Sequence, residues 1–489
     1  MPSKSAVVTV DEIRKHASAD SLWLVVDNKV WDMTEFAPEH PGGTSILLRY
    51  AGKDATKPYN EIHAPSLISE TLSPSKLKGT LDQSSVDPEW TKPPPEETKQ
   101  LQLGKKPPLH TLLNAFDFER VGSETINPKA WAYFSSAATD LITLDANRNA
   151  YNRIWFRPRV FRNVRKCDTR TKILGCESSL PLMISPAAMA KVVHPDGEKV
   201  LARAAASQGI IQAISTNASY SVTDIVPSAP AGHPFVFQLY VNKDRAKTES
   251  LLRIVESLGV KAIFVTVDAH VIGKREADER IKADDSLSPP MSGTKNTDDK
   301  KGGGLARTTG AFIDESFEWE DLAWLRRVTK LPLVVKGIQG AADAKMAMRW
   351  GVDGIVVSNH GGRSLDTTPA SVLVLLELQK NCPEVFDKME VFVDGGIRRG
   401  TDILKALCLG ARAVGMGRTF LYALNYGQEG VEHFVDIMRD ELETSMRLLG
   451  ITDLSQCHPG LLNTGDVDHL IPSLEEEHPY AKWRPKAVL

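Results

Sequence analysis

Eight short apolar runs between residues 180 and 417, each closing on or next to a polar residue, constrain the fold more than any other feature of this chain. They occupy 180–185, 210–215, 234–240, 262–268, 331–336, 354–358, 390–394 and 413–417. Each is short, rich in β-branched residues and bounded by turn formers, the pattern of a buried strand. Helical patterns separate most of them, most clearly at 246–258 and 404–409. Eight strand–helix units over about 300 residues predict an α/β fold of the TIM (β/α)8 barrel type rather than an open sheet. The polar residues fall in phase: Ser185, Ser215, Gln238 with Tyr240, Thr266 with Asp268, Lys336, Ser358 with His360, Asp394 and Arg418. Barrel chemistry sits at that C-terminal rim.

The residue types on the rim narrow the chemistry. Ser358-Asn-His-Gly-Gly-Arg363 places a proton-moving imidazole, His360, three residues from a guanidinium, Arg363, that can grip a carboxylate. Asp268 closes the fourth strand and can orient His360 and stabilise its charged form. Lys336 would be costly there unless it met a group that becomes anionic. Tyr133 and Tyr240 offer phenols to a small acid. Two glycine-rich turns, Asp394-Gly-Gly-Ile-Arg-Arg-Gly400 and Gly415-Met-Gly-Arg-Thr419, follow strands seven and eight, where barrels bind phosphate. Arg398 and Arg418 would supply the charge, to a phosphorylated substrate or to a cofactor such as FMN. The polar, glycine-rich insert at 283–310 predicts a mobile loop over the rim.

At 489 residues the chain is long enough for two domains. Residues 6–83 form the first. Ser21-Leu-Trp-Leu-Val-Val-Asp27 and Lys29-Val-Trp-Asp-Met33 predict two strands around an Asp27-Asn28 turn, and a helix is expected over 45–50. His40 and His63 are each fixed by adjacent turn formers, and two such histidines can hold an iron from both faces. Residues 84–110, with Pro93-Pro-Pro95 and Lys105-Lys106-Pro-Pro108, predict a semi-extended linker. Residues 111–489 form the second domain. A net charge of -3 leaves no basic excess for nucleic acid, and no apolar stretch reaches the length of a membrane span. Five scattered cysteines without a C-x-x-C pair fit a reducing compartment. The N-terminus has no secretory or presequence pattern, so a cytoplasmic address is expected, or the mitochondrial intermembrane space if a presequence is missing.

Two resemblances sharpen these expectations. His40-Pro-Gly-Gly43 after an aromatic-rich strand, Ala51-Gly-Lys-Asp-Ala-Thr56 and the second histidine resemble the cytochrome b5 family over 6–83. That implies a small α+β domain with haem b on His40 and His63. From about 111 to 455 the chain resembles the FMN-dependent α-hydroxy acid dehydrogenases. The residues carrying this are Trp131-Ala-Tyr-Phe-Ser-Ser136, Gln238-Leu-Tyr240, Thr266-Val-Asp268 with Gly273-Lys-Arg-Glu276, Leu333-Val-Val-Lys-Gly337, the His360 motif and Asp394-Gly-Gly-Ile-Arg-Arg-Gly-Thr-Asp402. Together the two halves resemble the flavocytochrome b2 family.

This resemblance implies oxidation of an L-2-hydroxy acid such as lactate, with electrons passing from FMN to haem b and on to a cytochrome c-like acceptor protein. It implies that Arg363 and Tyr133 bind the substrate carboxylate with Arg275 as a second cation, that His360 is the base, and that Tyr240 bonds the substrate hydroxyl. Lys336 would stabilise reduced flavin. Ser185, Ala187, Ser215, Gln238, Thr266 and Ser358 would face the flavin or its ribityl chain, and Asp394, Gly396, Arg398, Gly417 and Arg418 would hold ribityl and phosphate. A homotetramer is also implied. Asn217, Ala187, Ala137 and His270 depart from the family's usual residues, and a polar Asn217 predicts a substrate side chain larger or more polar than methyl. The rival expectations are an oxidase delivering electrons to dioxygen and a haem module with an inactive barrel.

Overall fold

The computed structural model describes residues 6–40, 44–63, 66–91, 104–281, 289–292 and 304–473. The turn formers Pro41, Gly42, Gly43 and Pro65 lie outside the described residues, as do 92–103 of the expected linker and most of the insert. The chain divides into two compact units, Met1–Gln102 and Leu103–Leu489.

In the first unit, strands Ser21–Val26 and Lys29–Asp32 pair antiparallel. Asp27 and Asn28, at φ 49° and 62°, make the left-handed two-residue turn that matches strand twist. Alternation along the hairpin buries both faces. Leu22, Leu24, Val26 and Trp31 enter one cluster, while Val25 and Val30 pack with Ile13, Leu81 and Trp90 in another. The sheet has five strands, completed by Val7–Val8, Leu77–Leu81 and Ala17–Ser18. His40 follows a short turn of helix at Ala37–Glu39, and His63 ends helix Thr56–Ile62.

The linker expected at 84–110 loses both its ends. Trp90 is buried in the first unit, donating its indole N–H to Gly52 O at 2.8 Å. In the second unit Gly104 N–H donates to Glu124 O, and Tyr426 OH donates to Pro107 O at 2.9 Å. Apolar and aromatic partners capture segments whose proline content alone reads as extended chain.

The second unit is a closed parallel barrel of eight strands: β1 Leu182–Ile184, β2 Ile211–Ser215, β3 Phe235–Leu239, β4 Ile263–Thr266, β5 Leu333–Ile338, β6 Gly354–Val357, β7 Glu390–Asp394 and β8 Ala413–Met416. β8 pairs with β1 to close it. Period-2 alternation organises everything else. Outward residues such as Ile214, Phe237, Val265 and Val393 join the large core beneath the helices. Inward residues Met183, Ile211, Ala213, Val236, Phe264, Val334, Val356, Phe392 and Ala413 fill the barrel. A hairpin, Thr171–Ile173 and Cys176–Ser178, puts Ile173 against this inner cluster. Leu174 N–H at its turn donates to Glu390 Oε2, at the start of β7, at 3.0 Å. The hairpin therefore floors the N-terminal end. No described helix is long and apolar enough to cross a membrane.

The insert differs from the expectation of a mobile loop in one part. Leu305–Gly310 is helical, with Leu305, Ala306 and Thr309 buried. Asp278 Oδ2 accepts from Ala306 N–H at 3.0 Å, and Lys129 Nζ pairs with Asp278 Oδ1 at 2.9 Å, which ties this helix down.

Candidate active site

The inward parity that packs the barrel continues past its apolar layer. Two residues beyond Met183, Ala213, Val236, Phe264, Val334, Val356 and Phe392 come Ser185, Ser215, Gln238, Thr266, Lys336, Ser358 and Asp394, all buried. Tyr240, Asp268 and His360 lie two further on in the same phase. Register sets them side by side, pairing Ser215 with Gln238 and Thr266 with Lys336. An open cleft lined by most of these residues lies over this ring.

His360 Nδ1 lies 2.8 Å from Asp268 Oδ1. A carboxylate there accepts, so Nδ1 carries the proton and Nε2 is left as a base. Burial pushes the His360 pKa below the ordinary histidine value against the pull of Asp268. Burial alone would raise Asp268, but the charges of His360 and Lys336 outweigh it and hold the carboxyl below its ordinary range. Lys336 behaves likewise: burial opposes its charge, and Asp394 at 3.3 Å with Asp268 at 3.9 Å raises it above the ordinary lysine value. Tyr240 is raised, first by burial and then by Asp268, so it remains a phenol able to donate.

The glycines after His360 have a steric reason. Cβ atoms on Gly361 and Gly362, at φ 63° and 77°, would lie 2.8 Å from Arg418 Nη1 and 2.8 Å from Leu144 N. His360 shares the left-handed conformation at φ 57°, which costs a non-glycine residue about 1–2 kcal/mol and aims the ring back over the barrel mouth.

Arg275, Arg363 and Arg418 have no carboxylate within ion-pair distance among the described residues. Arg363 Nη1 donates to the carbonyls of Tyr133 and Phe134 at 2.8 and 2.9 Å, and its guanidinium lies 5.2 Å over the Tyr133 ring. Arg418 donates to Phe134 O and Ser136 O, each at 2.9 Å. Burial and the neighbouring Arg363 push Arg275 down to about 10 and Arg418 down to about 9. Crowded cations without counter-charges call for anionic ligands.

The wall also fits a flavin nucleotide. Gln238 donates to Thr266 Oγ1 at 3.0 Å and accepts from Ser215 Oγ at 3.1 Å, a buried amide ladder suited to a heteroaromatic edge. Asp394 lines the same cleft, and its Oδ1 has no hydrogen-bond partner among the described residues. A Cβ on Gly415 would come 2.4 Å from Ser185 Oγ, whereas Gly417 beside it is nearly unobstructed, so backbone N–H groups can approach a phosphate near Arg418.

Of the residues expected at the site, Ser185, Ala187, Ser215, Gln238, Tyr240, Thr266, Arg275, Tyr133, Lys336, His360, Arg363, Asp394, Gly396, Arg398, Gly417 and Arg418 line the cleft. Asp268 and Ser358 lie behind the wall. Ser358 Oγ accepts from Lys336 Nζ and His360 N–H, each at 3.0 Å, and so supports two wall residues. Arg398, expected on phosphate, already pairs with Glu119 at 2.5 Å, and Glu119 also takes Arg148 at 2.7 Å. Glu119, Arg148 and Thr309 escaped the sequence reading, and Phe134 entered it only as part of the Trp131–Ser136 motif. They sit on helices outside the barrel, where strand-end phase gives no signal.

In the first unit the His40 and His63 ring centroids are 6.2 Å apart, with planes at 78°. That spacing suits one metal ion about 2 Å from a nitrogen of each ring. Phe36 and Tyr59 flank the two imidazoles.

The model of the FMN-dependent dehydrogenase family matches residues 122–464. The chain belongs to this family. Residues 9–82 match the cytochrome b5-like heme/steroid binding domain, so FMN and haem b are the cofactors of this two-part family member. The chain is 45% identical to the L-lactate dehydrogenase (cytochrome) of Saccharomyces cerevisiae, over 92% of its own length and 79% of the relative's. It is 41% identical to glycolate oxidase 1 of Zea mays, over 74% of its length and 99% of the relative's. The solved recombinant flavin-binding domain of baker's yeast flavocytochrome b2 superposes with a TM-score of 0.67 at 43% identity, covering 78% of this chain and 94% of that one. The similarity of this dehydrogenase to its yeast relative thus runs over most of both chains.

Proposed function

We propose that this dehydrogenase oxidises an L-2-hydroxy acid, lactate or a close relative, to the 2-oxo acid and delivers the electrons to a cytochrome c-like acceptor protein. The observation that carries this is an imidazole held by a buried carboxylate at 2.8 Å, in the same wall as guanidiniums that lack counter-charges among the described residues. Arg363 and Arg275 grip the substrate carboxylate, and Tyr133 adds its phenol. Tyr240 donates to the substrate hydroxyl. His360 takes a substrate proton at Nε2, and Asp268 stabilises the imidazolium that results. Asp394 and Asp268 keep Lys336 charged where negative charge develops on the neighbouring ligand. Bound flavin supplies two-electron acceptance, and haem b on His40 and His63 supplies single-electron transfer.

The intact histidine pair favours an exit for electrons through haem over delivery to dioxygen. Family membership also supports assembly as a homotetramer, which light scattering would test. Anaerobic titration of the purified holoprotein with L-lactate should bleach the flavin bands and bring up reduced haem, with little peroxide formed in air. No bleaching by any 2-hydroxy acid would refute the reading.

A further inference from the structure

Three consecutive residues of the loop after β6, His360, Gly361 and Gly362, hold left-handed backbone at φ 57°, 63° and 77°. Such a run persists only where its surroundings fix it from several sides. Asn359, the residue before it, is 1% exposed and spans the loop. Its Oδ1 accepts from Gly362 N–H at 3.0 Å, and its Nδ2 donates to Pro369 O at 2.9 Å.

A second buried amide fixes the first. Asn147, on helix Ile142–Asn152 and also 1% exposed, donates from Nδ2 to Asn359 Oδ1 at 2.8 Å. It accepts at Oδ1 from Asn359 Nδ2 at 2.9 Å and from Ser371 N–H at 3.0 Å. Turning either amide over would set its NH2 group against the N–H of Ser371 or of Gly362, so both rotations are determined. The same residue props the turn after β7. A Cβ on Gly396 would come 2.0 Å from Asn147 O, and one on Gly395 would come 3.3 Å from Asn147 Nδ2. Gly361, Gly395 and Gly396 line the cleft, whereas neither asparagine does. The pair thus sits behind the wall, where it joins the loop that carries the base to the turn that leads to Arg398.

We propose that Asn147 and Asn359 are positioning residues that act as one unit, holding the left-handed run so that His360 Nδ1 stays at 2.8 Å from Asp268 Oδ1. The inference rests on the hydroxy acid reading above and concerns how the base of that same site is held. Groups that work through one shared set of bonds lose their effect together, not in proportion.

The test follows anaerobic flavin bleaching by L-lactate on the full-length holoenzyme, for wild type, Asn147→Ala, Asn359→Ala and the double variant. Each single substitution should lower the maximal rate by about tenfold. The half-saturating lactate concentration should stay within about threefold, because Arg363 keeps its own anchors in the carbonyls of Tyr133 and Phe134. The double variant should be no slower than the slower single, since either change alone breaks the reciprocal bonds. Should Asn147→Ala fail to retain flavin, the isosteric Asn147→Asp decides: it keeps both accepted bonds, loses the donated one, and should also slow bleaching by about tenfold. Maximal rates within about threefold of wild type, a loss carried by half-saturation instead of rate, or a double variant whose loss is the product of the two singles overturns the assignment and leaves the hydroxy acid reading standing. A wild type that no 2-hydroxy acid bleaches overturns both together.

Discussion

Replacing Asp268 with Asn isolates what the carboxylate behind His360 contributes. The substitution keeps the volume of a fully buried side chain, and Lys336 keeps its partner Asp394 at 3.3 Å, so the fold survives. What is lost is a charge-assisted hydrogen bond of 2.8 Å to an imidazole that becomes charged as it takes the substrate proton. Hydrogen bonds to charged groups contribute about 1.5–3 kcal/mol, which converts to a fall of about 10- to 150-fold in rate. The loss should appear in kcat, with KM little changed, because Arg363 and Tyr133 are not in contact with Asp268 and still bind the substrate carboxylate. The pH profile adds a sign. Asp268 raises the His360 pKa against burial, so its removal lowers that pKa further, and the acid limb of kcat/KM moves to lower pH. Steady-state lactate oxidation across pH 5–9 gives both quantities. A kcat within threefold of wild type, or an acid limb displaced upward, would refute this account of the pair.

His63→Ala should abolish the haem spectrum while leaving anaerobic flavin bleaching by lactate in place, with reduction of a one-electron acceptor protein falling at least about tenfold. Absorption spectra and acceptor assays on one preparation separate the two. Asp366 accepts from the backbone of Thr143 and Asp140 and from Thr139 Oγ1, and although burial opposes it, these bonds hold its pKa down to about 2. Its stabilising contribution is complete above the unfolded carboxyl value near 4 and is lost as pH falls through about 2. Asp366→Asn should therefore lower the thermal midpoint at pH 7, and the gap to wild type should close between pH 4 and 2.

Much of the barrel's chemistry was legible because strands enforce a period of two. Once Met183, Phe264 or Phe392 faces the axis, Ser185, Thr266 and Asp394 must face it too. The same rule accounts for Ser358. Phase put it on the inside, but at 1% exposure it is covered by the Lys336 and His360 groups it supports. Glu119 and Arg148 could not be read this way. Arg148 lines the cleft and Glu119 pairs with Arg148 and Arg398 behind it, from helices Ile142–Asn152 and Ala115–Thr125, whose 3.6-residue period says which face is buried and nothing about what that face meets. Thr309 was hidden for a different reason, since composition marked the insert as loop while Asp278 and Lys129 hold its last turn in place.

The floor of the barrel has a consequence for proton traffic. Ile173 is seated under the inner apolar layer and Glu390 pins its hairpin, so the described residues cover the lower end of the axis with apolar side chains. Lys336 and Asp394 face the cleft at the opposite, upper end, so an occupant of that mouth stands between these buried charges and bulk solvent.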